Sequence, residues 1–206
     1  MDRRTTIKWV LAASASLPLL EGSARAGPVP AGSAPGYGTD PKLATNHQPG
    51  ELWPLTLNAA QRRLAGILSD IIIPADERSP SASAVGVVNF IDEWVSAPYP
   101  VQRQDRTLVL GGFTWMDAEA VRRSGKEFSQ LGIAEQHGIC DDICDASRAA
   151  PARRDAAHFF ARYRDLTAGG FYSTPAGRKD LEYIGNVPLT RFDGPPPALL
   201  GQLGLR

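Results

Sequence analysis

The chain has 206 residues, and its 22 basic and 22 acidic residues give a formal net charge of zero at pH 7. A near-neutral chain lacks the excess of positive charge that nucleic-acid-binding proteins carry, so this class is excluded. The length suits one domain with a hydrophobic core, and no stretch beyond the N-terminal segment is long and apolar enough to cross a membrane.

The N-terminal segment has the three-part pattern of a secretory signal. Arg3 and Arg4 form a positive start, residues 9–20 are mostly apolar or small, and Ala24 and Ala26 provide the small residues of a cleavage site. We therefore predict a signal peptide that ends at Ala26 and an exported, periplasmic protein. An uncleaved anchor helix is disfavoured because the apolar run is too short to span a bilayer comfortably.

The adjacent arginines also indicate the route of export. Arg3 and Arg4, followed by Ile7, resemble a twin-arginine signal. Thr6 stands where a large apolar residue is common in such signals, so ordinary Sec export remains the alternative for the signal at residues 1–26.

Two segments have the composition of extended arms. Residues 27–54 are rich in Gly, Pro, Ser and Ala, and such a segment buries too little apolar surface to offset the entropy of ordering it. We predict a flexible linker there, ordered at most on a partner. Residues 189–206 contain Pro195, Pro196 and Pro197, and we predict an extended C-terminal tail.

The first predicted helix begins near Asn58. Asn58 and Gln61 have the spacing of a capping box, in which each side chain accepts a hydrogen bond from the other residue's backbone. Apolar residues then recur at helical spacing as far as Ile72. Pro74 ends the helix because proline has no amide donor and clashes with the preceding turn.

Two further helices are predicted in the middle of the chain. Residues 85–95 are dense in apolar side chains, and the length of the run and its Asp92-Glu93 pair favour a helix over a strand. Residues 101–124 form the third. Gly111 and Gly112 lie inside it, and each costs about 1 kcal/mol relative to alanine, which predicts a bend or a break.

The remaining predicted helices lie in the C-terminal half. Residues 133–146 form a fourth candidate and residues 153–167 a fifth, which a Gly169-Gly170 pair is expected to close. Thr174, as N-cap, and Pro175, in the first turn, start a short sixth helix. Together these elements predict an all-α fold.

We therefore expect a single helical domain of about five to six helices over residues 55–188, with extended arms on both sides. The sequence has no dinucleotide-binding Gly-x-Gly-x-x-Gly after a strand, no c-type haem attachment motif, no P-loop and no nucleophile elbow. We assign no catalytic residue, no metal site and no cofactor to this chain.

Cys140 and Cys144 are the only cysteines, and His137 would share a helix face with both. Three interpretations stay open: two small core residues, a disulfide in an oxidising compartment, and a metal site that would need one or two more ligands. A bond to a cysteine of another subunit is a further alternative.

Other polar and aromatic residues carry weaker signals. Adjacent acid pairs such as Asp92-Glu93 face different directions on a helix and do not form catalytic dyads. The aromatic residues include candidate interface anchors, although most of them are expected in the core. The anchor candidates are Trp53, Trp94, Trp115, Tyr172 and Tyr183.

Three stretches resemble one known family. Residues 55–76 contain Leu-Thr-Leu-Asn-Ala-Ala-Gln and Ile-Ile-Ile-Pro-Ala-Asp, and residues 86–92 read Gly-Val-Val-Asn-Phe-Ile-Asp. Residues 159–188 contain Gly-Gly-Phe-Tyr-Ser-Thr and Tyr-Ile-Gly-Asn-Val-Pro. Their order and spacing resemble the gluconate 2-dehydrogenase subunit 3 family over most of the chain.

This resemblance implies a small (gamma) subunit without an active site of its own. Its partners would be a large FAD-binding subunit of the GMC type and a multihaem c-type cytochrome that passes electrons to quinone. The small subunit would carry the export signal for the leaderless large subunit. The complex would lie at the outer face of the inner membrane.

The rival hypotheses are a free-standing periplasmic binding protein that holds a metal through Cys140 and Cys144, and a self-sufficient enzyme.

Overall fold

The structure is a computed structural model that describes residues 47–183, 185, 191, 194–195, 197–202 and 204. Within these residues the chain forms α-helices and short 3₁₀ turns and no β-strand, which confirms the all-α prediction. The helices are α1 Ala59–Ile72, α2 Val87–Ser96, α3 Pro100–Ser124, α4 Ile133–Asp141, α5 Arg154–Tyr172, α6 Pro175–Asp180 and α7 Pro197–Gln202. The 3₁₀ turns are Ser83–Val85, Phe128–Gln130 and Pro151–Arg153.

Helix α1 begins where the capping box predicts. The Asn58 carboxamide accepts a hydrogen bond from the Gln61 amide at 2.9 Å, and the Gln61 side chain accepts one from the Asn58 amide at 3.0 Å. These bonds satisfy two amides that the first helical turn leaves without partners. The helix ends at Ile72, two residues before Pro74.

Prolines and glycines also set the ends of α2 and α3. Ala97 is extended because Pro98 follows it, and this ends α2. Pro100 occupies the first turn of α3, where its missing amide costs no hydrogen bond. Gly125 ends α3 in the left-handed conformation, with φ of 69°, and its amide donates to the Val121 carbonyl.

Helix α3 runs without a break through Gly111 and Gly112, so the prediction of a break is wrong. The two glycines have different surroundings. A Cβ atom at Gly112 would overlap the ring of Phe159 on α5, whereas a Cβ atom at Gly111 would meet nothing within 4 Å. Contact with α5 therefore explains Gly112 and holds the helix continuous at this point.

The fourth and fifth helices differ in length from the sequence prediction. Helix α4 ends at Asp141 rather than near residue 146, and α5 continues to Tyr172. Gly169 and Gly170 therefore lie inside α5 and do not close it. At Gly170 the ring of Phe90 approaches within 2.7 Å of the position a Cβ atom would take, so the glycine lets α2 pack closely.

The core lies between α1, α2, α3 and α5. Phe113, Phe159 and Tyr163 pack with ring centres 5.6 to 6.0 Å apart, a spacing that favours edge-to-face contacts. The Tyr163 hydroxyl is buried and donates to the Ala65 carbonyl at 2.9 Å. Burial raises the pKa of Tyr163, so its phenol stays neutral.

Both predicted arms contain ordered residues among those that the structure describes. Gly50 and Trp53, within the predicted linker, hydrogen-bond to Glu93 of α2. In the predicted C-terminal tail, residues Pro197–Gln202 are helical rather than extended. None of the helices in the described ranges is both long enough and apolar enough to cross a bilayer.

Candidate interaction surface

The predicted export residues Arg3, Arg4, Ala24 and Ala26 lie outside the described residues. The other predicted site residues, Cys140 and Cys144, are described. Both are free thiols in the structure, so the candidate disulfide is not formed there.

The two cysteines are separated because α4 ends at Asp141. Cys140 is buried in the core, where burial raises the pKa of its thiol to about 12. Cys144 lies beyond the helix, is exposed, and donates a 3.4 Å hydrogen bond to the Asp141 carbonyl. Over the part of the chain that the structure describes, no group of three or more His, Cys, Asp or Glu residues could hold a metal ion, and His137 is exposed.

A cleft of about 220 Å³ opens on the outer side of α2 and the start of α3. We call it the aromatic cleft, and it is lined by Trp53, Phe90, Glu93, Trp94, Tyr99 and Gln102. The rings of Trp53 and Tyr99 are perpendicular, with centres 6.0 Å apart. Those of Phe90 and Trp94 are tilted by 33° at 6.1 Å. All of these side chains are partly exposed, so the cleft is open to solvent.

Trp53 reaches the aromatic cleft because the segment before α1 is tied to α2. The Trp53 indole donates to the Glu93 carbonyl at 3.1 Å, and the Gly50 amide donates to a Glu93 carboxylate oxygen at 2.9 Å. One residue of α2 thus holds both groups through its backbone and its side chain.

Asp92 fixes the same segment at Thr56 and Leu57, a few residues after Trp53. Its carboxylate is fully buried and accepts hydrogen bonds from the amides of Thr56 and Leu57, at 3.1 and 3.0 Å. The Arg62 guanidinium of α1 donates to its other oxygen at 2.6 Å. A buried carboxylate that accepts from a guanidinium and from amides has its hydrogen-bonding capacity satisfied. Here Asp92 joins α2 to α1 and to the segment before α1.

A second polar group, Asp105, bonds to Trp94, which lines the aromatic cleft. Asp105 of α3 accepts two hydrogen bonds from the Arg162 guanidinium of α5, at 2.8 and 2.7 Å, and one from the Trp94 indole at 2.7 Å. The guanidinium also lies 6.0 Å from the centre of the Trp94 ring. Burial alone would raise the pKa of Asp105, but these donors outweigh it and hold the pKa below its ordinary value. Asp105 therefore stays ionised and fixes the orientation of Trp94.

A second cleft, of about 370 Å³, lies between α3 and α5. We call it the α3–α5 cleft, and it is lined mainly by Leu108, Gly111, Gly112, Trp115, Asp155 and Phe159. Asp105 is one helical turn before Leu108 and Arg162 is one turn after Phe159. The pair formed by Asp105 and Arg162 therefore lies one turn from lining residues of the α3–α5 cleft and bonds to Trp94 of the aromatic cleft.

A larger ion network lies at the far end of α3. Glu119 is paired with Arg122 and Arg123, and Arg123 and Arg153 both bind Asp142 at 2.6 Å. The hydrogen bond from Arg122, opposed by burial and reinforced by Arg123, lowers the pKa of Glu119 to about 2. The network ties the ends of α3 and α4 to the turn before α5, and its charges are satisfied within the chain.

The tryptophans were expected mostly in the core, and the structure places them differently. Trp53, Trp94 and Trp115, which are all the tryptophans that follow the predicted signal, are only partly buried and line the two clefts. Tyr172 and Tyr183 are 37% and 58% exposed. Trp94 and Trp115 also pack against the core, so the core interpretation is confirmed in part for them, and the interface-anchor interpretation stays a prediction.

Glu93, Tyr99 and Arg162 were not predicted as surface-site residues. Tyr99 carries a local signal, because a tyrosine between two prolines has a fixed backbone and little chance of joining a helix face. Glu93 and Arg162 carry none, since their roles arise from contacts with segments 40 or more residues away.

Comparison with known proteins gives one match. A family model described as gluconate 2-dehydrogenase subunit 3 matches residues 59–194, which is more than half of the chain. No curated protein and no solved structure matches.

Proposed function

Because the chain belongs to the gluconate 2-dehydrogenase subunit 3 family, we propose that it is the non-catalytic small subunit of a periplasmic, FAD-dependent dehydrogenase complex that oxidises gluconate or a related sugar. The family match carries this proposal, and it confirms the resemblance found in the sequence. In the proposed complex FAD is bound by a large subunit of the GMC type, and haem c by a multihaem cytochrome.

The described surface is suited to holding a partner subunit. Trp, Tyr and Arg are the residue types that dominate the binding energy of protein interfaces. The two clefts present Trp53, Trp94, Tyr99 and Trp115 partly exposed, and Asp105, which is bonded to Arg162 by two hydrogen bonds, holds the Trp94 indole. Preorganised aromatic side chains lose little conformational freedom when a partner binds, which favours a stable contact.

We further propose that the chain escorts the large subunit out of the cytoplasm. The predicted signal at residues 1–26 would direct both subunits to the outer face of the inner membrane. A twin-arginine route fits this role, because a subunit already loaded with FAD must cross in the folded state. Membrane association would then be indirect, through the complex.

Co-expression of the large subunit with and without this chain tests the escort role. We expect FAD-loaded large subunit in the periplasm, and sugar oxidation there, only when both are present. Flavin fluorescence and dehydrogenase activity in separated periplasmic and cytoplasmic fractions measure the outcome. An active large subunit that is exported equally well alone would contradict the proposal.

Replacing Arg3 and Arg4 together with lysine tests the route. We expect both subunits to stay in the cytoplasm, because the twin-arginine signal is read by its two guanidinium groups and lysine lacks their planar donors. Arg63 and Arg154, which are exposed on α1 and α5, serve as a matched pair of Arg→Lys controls. Unchanged periplasmic yield of the Arg3/Arg4 variant would refute the twin-arginine route.

A further inference from the structure

The aromatic cleft offers π-faces but no free indole donor. The Trp53 indole already donates to the Glu93 carbonyl, and the Trp94 indole already donates to Asp105. A ligand in this cleft would therefore meet the faces and edges of four rings, which attract apolar groups and cations rather than hydrogen-bond acceptors.

The charged group that lines this cleft is Glu93. One of its carboxylate oxygens accepts the Gly50 amide at 2.9 Å, and among the described residues its other oxygen has no hydrogen-bond or ion-pair partner. A carboxylate oxygen with spare acceptor capacity beside aromatic faces is complementary to a cation that carries N–H donors.

Two positive groups that contact lining residues of this cleft are already compensated. Arg162 is neutralised by Asp105, and Arg106 donates to the carbonyls of Val95 and Ser96 at the end of α2. The negative end of the α2 dipole is thus satisfied by Arg106, which leaves the Glu93 carboxylate as the charged acceptor beside the rings of Trp53, Phe90 and Trp94.

The aromatic lining of the cleft favours a guanidinium over an ammonium. A guanidinium is planar, stacks on aromatic rings and is weakly hydrated, so it loses less on leaving water than the compact lysine ammonium. A cleft of about 220 Å³ is large enough for one long side chain but not for a packed helix. We propose that the aromatic cleft binds an arginine side chain presented by the partner subunit, with the guanidinium between the rings and donating to Glu93. The identity of that partner rests on the function proposed above.

The binding chemistry can be tested without the partner. The purified full chain, labelled with ¹⁵N, is titrated with N-acetyl-arginine amide while the indole N–H resonances are followed. We expect saturable shifts at Trp53 and Trp94 with a dissociation constant on the order of 1 mM, the range for a ligand of this size. Trp115, in the other cleft, should not shift.

Two controls separate charge from shape. N-acetyl-citrulline amide has nearly the same shape without the charge and should give no saturable shift at these indoles. Glu93→Gln keeps the acceptor for the Gly50 amide and should weaken binding of the arginine probe about fivefold, the effect of a partly exposed ion pair. Glu77→Gln, an exposed carboxylate in the loop after α1, should leave binding unchanged.

Equal shifts with the citrulline probe, or unchanged affinity in the Glu93→Gln variant, would overturn the proposal. A second arm uses the co-expressed complex, in which Glu93→Gln should lower the amount of large subunit that co-purifies and Glu77→Gln should not. Co-purification that Glu93→Gln leaves unchanged overturns the assignment of the arginine to the partner. If the large subunit does not associate even with the unchanged chain while the arginine probe binds selectively, the proposed function fails and the chemistry of the cleft stands.

Discussion

Replacing Asp92 with alanine is expected to lower the free energy of unfolding by about 3 kcal/mol or more. The substitution removes the acceptor for the Leu57 amide, one of the two acceptors for the Thr56 amide, and the counterion of Arg62. Leu57 is buried, so its amide would lose its partner without gaining water. Urea denaturation of the purified chain, followed by far-UV circular dichroism, measures the effect.

The Asp92→Asn variant separates the loss of the hydrogen-bond acceptor from the loss of the negative charge. Asparagine keeps one carbonyl acceptor for the two amides but loses the charge that pairs with Arg62, so we expect a smaller destabilisation than with alanine. Glu77→Ala, at an exposed loop position, is the control and should change stability by less than about 0.5 kcal/mol. If Asp92→Ala lowers the free energy of unfolding as little as this control does, the segment before α1 is not held by the buried carboxylate.

Loss of Asp92 should also disturb the aromatic cleft. Thr56 and Leu57 follow Trp53 closely in the chain, and the bonds of their amides to Asp92 are two of the bonds that fix this segment to α2. If the bonds to Asp92 are lost, the segment is held only by Ser96, which accepts from the Thr56 amide, and by Glu93, which accepts from the Gly50 amide and the Trp53 indole. The stability of the segment before α1 and the geometry of the cleft are therefore coupled through one buried side chain.

Local sequence signals were sufficient where a helix end depends on its own residues. Asn58 and Gln61 predicted the start of α1, and both bonds of the capping box are present. Thr174, which caps α6, and Pro175, which follows it, were predicted for the same reason. In each case the side chain bonds to an amide three residues away, so the information lies within one turn.

The prediction that Gly169-Gly170 ends a helix was wrong because glycine is favoured in more than one structural setting. Gly169-Gly170 resembles a helix C-terminus in sequence, yet Gly170 lies within α5 where the ring of Phe90 packs against its backbone. A missing Cβ atom permits both a left-handed turn and a close approach between helices. Only the position of α2, which is about 80 residues away in sequence, decides between the two.

The candidate surface could be anticipated only in part. Composition identified Trp53, Trp94 and Trp115 as interface candidates, because tryptophan is common at binding hot spots. Their partial burial depends on bonds to Glu93 and Asp105, and on a pair between α3 and α5 that spans 57 residues of sequence. No periodicity within one helix contains that information, so the two clefts became apparent only in the structure.

Adjacent glycines in α3 should respond in opposite directions to the same substitution. Gly112→Ala is expected to destabilise the chain by about 1–3 kcal/mol, because its methyl group would overlap the Phe159 ring and force α3 and α5 apart. Gly111→Ala is expected to stabilise it by about 0.5–1 kcal/mol, since alanine is the better helix former and its methyl group meets nothing.

The two variants are matched in chemistry, helix and sequence position, so their difference isolates the contact with α5. In thermal and urea unfolding, Gly112→Ala should be less stable than the unchanged chain and Gly111→Ala more stable. Equal and small effects would mean that α5 does not pack on α3 at Gly112. If Gly111→Ala is instead less stable than the unchanged chain, the added methyl group must clash with a neighbouring group at this exposed part of α3. With the expected signs, Gly112 is required by the contact with Phe159, whereas Gly111 lowers the stability of the helix although no contact requires a glycine there.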